Sequence, residues 1–203
     1  QATFAGDANY RASSSNTLTV TVSPVLVTSS LNPSTYLQSV TFTATLVAGK
    51  TGSVTFMDGA TALGASFING TTATLTTSTL SVGSHDITAI YNSATSPVLT
   101  QVVNKATPAV TVTTSGPSVY GDTVTITATV PSDVTGTITI TSGTTTLGTG
   151  TIASGVVTIT TAVLPAGSDP ITATYNGDGN YVPATGATTQ TVAKTSPTSA
   201  FTS

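Results

Sequence analysis

Residues 124–143 read VTITATVPSDVTGTITITSG, and their alternation decides the fold class. Val124, Ile126, Ala128 and Val130 share one side of an extended chain, while Thr125, Thr127 and Thr129 share the other. Pro131-Ser132-Asp133 breaks the pattern as a turn, and Ile138 and Ile140 resume it against Thr137, Thr139 and Thr141. A strand with one face in a core and one in water has this pattern, since β-branched Thr fits an exposed pleat. Working outward, Val157 and Ile159, then Ile171, Ala173 and Tyr175, alternate with Thr in the same way. No stretch spaces its apolar residues by three and four over a helical length. Turn signals at Gly121-Asp122, Ser142-Gly143, Ser154-Gly155, Pro165-Ala166-Gly167 and Asn176–Gly179 punctuate the strands. The strands are expected near 110–114, 123–130, 136–141, 145–152, 155–162, 170–176 and 186–193.

The whole stretch occurs twice. Residues 24–91 lie over residues 108–175 without a gap at an offset of 84. Tyr36 falls on Tyr120, Phe42 on Ile126, Phe56 on Ile140, Leu80 on Leu164 and Tyr91 on Tyr175. A period of this length is a small domain rather than a solenoid unit. Phe4–Val20 reads like Tyr175–Val192, and Pro197 matches Pro108. The expected organisation is therefore 1–23 as the closing hairpin of a preceding repeat, 24–104 and 105–194 as whole repeats, and 195–203 as the start of another. About seven short strands per repeat predict an all-β fold of tandem antiparallel sandwiches of the immunoglobulin type. Neither Cys nor Trp is present, so each core must be aliphatic with a few Tyr and Phe.

Composition narrows the function classes. Charged residues make up 5% of the chain, against roughly 25% in ordinary domains. There is no Glu, and 50 of the 203 residues are Thr. Four basic residues and a net charge of -3 exclude a phosphate-binding surface, so nucleic acid is not an expected partner. The apolar runs are far shorter than the ~20 residues that span a bilayer. Absent Cys fits an extracellular protein held by its cores.

One segment carries a family resemblance. Gly6-Asp7-Ala8-Asn9-Tyr10 and Gly177-Asp178-Gly179-Asn180-Tyr181 each follow a strand ending in an aromatic residue and precede a strand ending in Thr-Val. This closing hairpin resembles that of the bacterial Ig-like repeat domains, which occur in tandem in large secreted and surface-attached proteins. The resemblance covers essentially the whole chain and implies spacing, stalk formation or adhesive display at a bacterial surface, with no catalytic residues to carry over. The middle repeat is about five residues shorter after Tyr91 and lacks the motif.

Candidate sites are few. His85 is the only imidazole, between Ser84 and Asp86, and its counterpart is Asp169. Adjacent residues cannot converge as a hydrolytic triad, so His85 is expected to be an exposed turn residue. The seven Asp are scattered over separate turns, which excludes a paired-carboxylate mechanism. Asp7 with Asn9, and Asp178 with Asn180, come nearest to a calcium site, yet each pair supplies two of the six to eight oxygens calcium takes. Asx turns that anchor Tyr10 and Tyr181 are the preferred reading, with no cofactor. Lys105 and Lys194 occupy equivalent junction positions. A Lys–Asn isopeptide crosslink would need a buried Lys and acid, so both are expected to be solvated. Thr on every strand of a twisted sheet argues against a flat ice- or glycan-binding plane. Asn69-Gly70-Thr71 fits the N-glycosylation pattern and falls in a turn.

The expected function is a non-catalytic spacer of a secreted or surface protein whose partners are neighbouring repeats. The alternatives are a filament subunit completed by strand exchange, with Leu18, Val20 and Val22 on the exchanged hairpin, and a glycan-binding accessory module. Short junctions ending in Pro108 and Pro197 suggest end-to-end stacking, each bead adding roughly 35 to 45 Å from strands of seven to ten residues.

Overall fold

A computed structural model describes residues 2–15 and 23–196. Leu18, Val20, Val22 and Pro197 lie outside the described residues. Strands β1 (Thr3–Phe4) and β2 (Ser13–Ser14) form a short antiparallel pair. The first repeat contributes β3 (Val25–Ser29), β4 (Ser34–Thr35), β5 (Val40–Leu46), β6 (Ser53–Asp58), β7 (Thr61–Phe67), β8 (Thr72–Thr77), β9 (Gly83–Tyr91), β10 (Ala94–Thr95) and β11 (Leu99–Asn104). The second contributes β12 (Thr111–Thr114), β13 (Ser118–Val119), β14 (Val124–Thr129), β15 (Thr137–Ser142), β16 (Thr145–Thr151), β17 (Val156–Thr161), β18 (Gly167–Tyr175) and β19 (Ala184–Ala193). The described residues form no helix.

Contacts divide the chain into two compact units, Gln1–Ser30 with Thr41–Leu75 and Asp86–Thr100, and Leu31–Val40 with Thr76–His85 and Gln101–Ser203. The second unit holds the whole second repeat. One of its sheets has the order β12-β14-β17 and the other β13-β19-β18-β15-β16. Their facing sides supply one core: Val124, Ile126, Ala128 and Val157 from the first sheet, and Ile138, Ile140, Ile171, Ala173 and Tyr175 from the second. Ile126, Ile138, Ile140, Ile171 and Tyr175 have no exposed surface, while Thr125, Thr127 and Thr139 between them are half-buried. The alternation in the sequence is thus the inside and outside of a sandwich. Burying an Ile contributes about 2 kcal/mol.

Two features depart from the expected strand map. Ser118–Val119 is an extra two-residue strand that pairs parallel to β19, so the sandwich is not wholly antiparallel. Strand β18 begins at Gly167, three residues before the expected start at Pro170. Proline usually marks an edge or a strand start because it donates nothing to the ladder. Here Pro170 lies inside β18, opposite Thr189, and its carbonyl accepts from the Gly143 amide at 3.2 Å.

The first unit shows matching pairings: β3 with β5, β6 with β7, and β6 with the Ile87–Ile90 part of β9. Asn92 and Ser93, at φ 46° and 67°, make the tight turn from β9 to β10. That turn replaces the longer hairpin of the second repeat and accounts for the missing residues. In the second unit, β4 and β11 pair in parallel, as β13 and β19 do.

Candidate functional site

The Gly-Asp-x-Asn-Tyr motif is built around a set of short polar contacts. In both copies the Asp carboxylate closes the turn. Asp7 Oδ1 accepts from the amides of Asn9 and Tyr10 at 2.8 Å each, and Asp178 Oδ1 accepts from those of Asn180 and Tyr181 at the same distances. The Asp178 amide donates to the Tyr181 carbonyl at 3.1 Å, and the Asp7 amide to that of Tyr10 at 2.9 Å. Glycine is required at the head of the motif. Gly177 has φ +88°, and an added Cβ would lie 3.0 Å from the Tyr181 carbonyl oxygen and 3.1 Å from Pro183 Cδ.

The copies then diverge. Tyr10 is 70% exposed, whereas Tyr181 is 4% exposed. Two residues of the 131–136 loop reach the second hairpin. Thr135 donates from its amide and its hydroxyl to Asp178 Oδ2, both at 2.9 Å. The Tyr181 hydroxyl donates to Asp133, at 2.9 Å from Oδ2 and 3.1 Å from Oδ1. Burial pushes the Asp178 carboxyl up, but hydrogen bonds from Thr135, Asn180 and Tyr181 outweigh it and hold the group at about 2. Burial, reinforced by the Asp133 carboxylate, pushes the Tyr181 phenol up to about 12. Burial also raises the phenol of Tyr175, with the Asp178 carboxylate adding to it.

As a calcium site this arrangement is poorly suited. Both Asp178 oxygens already accept N–H or O–H donors, which a cation would have to displace. Among the described residues no three His, Cys, Asp or Glu side chains gather as metal ligands.

His85 is not the exposed turn residue the sequence suggested. It lies in β9 with 9% exposure, on the inward side shared by Ile87, Ala89 and Tyr91, and its Nε2 donates to the Ser81 carbonyl at 2.9 Å. The early start of β9 at Gly83 places it there. Ser84 and Asp86 are exposed on the opposite side of the strand, so the three do not converge. At the equivalent position Asp169 is 5% exposed beside a cleft of about 310 Å³, and its Oδ2 has no hydrogen-bond partner among the described residues. Lys105 and Lys194 are both exposed. The Asn69–Thr71 stretch is an exposed turn closed by the Asn69–Thr72 bridge. The aromatics divide between core and surface: Phe42, Phe56 and Tyr175 are buried, whereas Phe67 is 82% exposed and Tyr120 56%.

Sequence reasoning passed over Gln101 and Gln190, buried at 0% and 1%. Gln101 Nε2 donates to the Leu31 carbonyl and to Ser34 Oγ, and Gln190 Nε2 to the Gly116 carbonyl and to Ser118 Oγ. Each amide fastens the two-residue parallel strand to the last strand of its repeat. The signal was a Gln at an inward register position, in Thr-Gln-Val-Val and Thr-Gln-Thr-Val.

Sandwiches of this kind, with Asp178, Asp133 and the buried glutamines committed to turns and strand ties, define a class of tandem structural domains. The chain belongs to the bacterial Ig-like domain (group 3) family, whose model matches residues 27–115 and 110–193. No curated protein matches the chain. Among solved structures it is similar to the fibronectin(III)-like modules of Clostridium thermocellum CbhA, at 19% identity over 84% of this chain and 94% of that one, with a TM-score of 0.35. It is also similar to a structure from a 1.5-MDa bacterial ice-binding adhesin, at 17% identity over 85% of this chain and 66% of that one, with a TM-score of 0.34. Likenesses this distant carry no argument about what the chain does.

Proposed function

We propose that these repeats are a non-catalytic spacer in a secreted or cell-surface bacterial protein, holding another domain at a distance. The observation that supports this best is where the polar groups of the second repeat are spent. Asp178, Asp133, Thr135 and Gln190 all bind turns, loops or strands of their own fold. Neighbouring repeats are the proposed partners, and the domain boundaries proposed are 24–104 and 105–194. A spacer acts through its length and foldedness rather than its surface chemistry. In the protein that displays these repeats, exchanging 24–193 for two unrelated sandwich domains should preserve binding or activity of the displayed domain. Loss of that activity after the exchange would overturn the reading in favour of a ligand-binding module.

A further inference from the structure

Within the second compact unit, the hairpin at 177–181 is occupied. The ring of Tyr36, from the first repeat's loop, meets the ring of Tyr181 edge-on, with centroids 5.5 Å apart and planes at 85°. Tyr36 and Ala106 pack against the hydrophobic core of the second repeat. Ala106 forms a parallel bridge with Tyr181: its amide donates to the Asn180 carbonyl, and its carbonyl accepts from the Val182 amide, both at 2.9 Å. Lys105 donates from Nζ to the Asp178 carbonyl. These contacts engage the hairpin from one side, while Asp133 and Thr135 of its own repeat hold it from the other.

We propose that the Gly-Asp-x-Asn-Tyr hairpin is a docking socket between consecutive repeats, and that its occupant is the loop Tyr of the repeat before it, seated beside the Lys-small-residue segment at the junction. The elements recur in the chain. Gly6–Tyr10 has the same internal hydrogen bonds. Tyr120, Lys194 and Thr195, the counterparts of Tyr36, Lys105 and Ala106, line an open cleft of about 350 Å³ with Pro165 and Ala166. The Tyr120 amide donates to the Ala193 carbonyl at 2.8 Å, as the Tyr36 amide does to that of Asn104. Each repeat thus carries the loop Tyr and is followed by a junction Lys, and the hairpin decides which repeats receive them. The first repeat has a tight Asn92-Ser93 turn in place of the hairpin and offers no such socket.

This deepens the spacer reading and rests on it for its purpose, though not for its contacts. Its test is independent of the domain exchange: a substitution in one repeat must be felt in the other. In the full 203-residue chain, thermal unfolding of the second repeat is followed by hydrogen exchange at the Ile138, Ile140 and Ala173 amides. Tyr36→Ala should lower that repeat's midpoint by roughly 3 to 8 °C, the loss of one aromatic pair. Tyr36→Phe should restore it, and Tyr120→Ala, at the equivalent position of the second repeat, should leave it within about 1 °C. An unchanged second-repeat midpoint in Tyr36→Ala overturns the proposal. Should Tyr36→Ala unfold its own repeat, Lys105→Met probes the same joint, and an unchanged midpoint there overturns it equally.

Discussion

Replacing Asp178 with Ala removes one acceptor group from four donors at once: the amides of Asn180 and Tyr181 at 2.8 Å, and the amide and hydroxyl of Thr135 at 2.9 Å. Hydrogen bonds to a charged group contribute about 1.5 to 3 kcal/mol each when buried. Asp178 is half-buried, so water replaces part of that, and each bond contributes about 0.5 kcal/mol. Four such bonds give about 2 kcal/mol. The carboxyl supplies a second route to the size of the effect. Held at about 2 from an ordinary 3.8, it corresponds to about 1 to 2 kcal/mol after allowance for solvent screening. The two figures overlap. For a repeat of this size the melting temperature should fall by roughly 8 to 16 °C. Asp178→Asn keeps one acceptor oxygen and should lose about half as much. Calorimetry of the full chain, with the second repeat's transition assigned by hydrogen exchange, measures the loss. Asp7→Ala is the control, because its hairpin makes the same two turn bonds without a Thr135 counterpart among the described contacts. A loss below about 0.5 kcal/mol in Asp178→Ala, or an equal effect on the second repeat from Asp7→Ala, would refute the view that this carboxylate ties hairpin to loop.

Acid should weaken the second repeat through the same group. A depressed carboxyl stabilises the fold fully above its unfolded value near 3.8, and that stability is lost as pH falls through about 2. Urea midpoints measured between pH 5 and pH 2 should therefore drop mainly below pH 4, and the drop should shrink in Asp178→Asn. Gln190→Leu should cost about 2 to 3 kcal/mol, since it orphans the Gly116 carbonyl and Ser118 hydroxyl at a site with 1% exposure. Chemical unfolding of that variant checks the loss, and the parallel β13–β19 pairing should be the first to exchange its amides.

Much of the sandwich could be read from period two alone. Val124, Ile126, Ala128, Ile138, Ile140, Ile171, Ala173 and Tyr175 were all placed inward by alternation with Thr, and each is buried. Burial and alternation are local consequences of the pleat, so a local pattern suffices. The parallel strands Ser34–Thr35 and Ser118–Val119 could not be read this way. Two residues after a proline carry no period, and their pairing is made by a strand about 70 residues away. His85 was misplaced because the Gly and Pro signals around 167–170 suggested a longer turn than the chain makes. The Asx turn itself was legible, since Asp to Asn and Tyr amides are neighbours in sequence. Its grip by Asp133, Thr135, Tyr36 and Ala106 was not, because those partners arrive from loops 43 to 145 residues distant in the chain.

The central claim is that these repeats serve by being folded and spaced rather than by what their surfaces recognise. The domain exchange tests it most directly. In the displaying protein, two unrelated sandwich domains in place of 24–193 should leave the displayed domain's ligand affinity and surface accessibility at the parent level, within about twofold. Deleting 24–193 outright should reduce accessibility while leaving the affinity of the released domain intact. Affinity that falls with the exchange and returns only with these repeats would contradict the account.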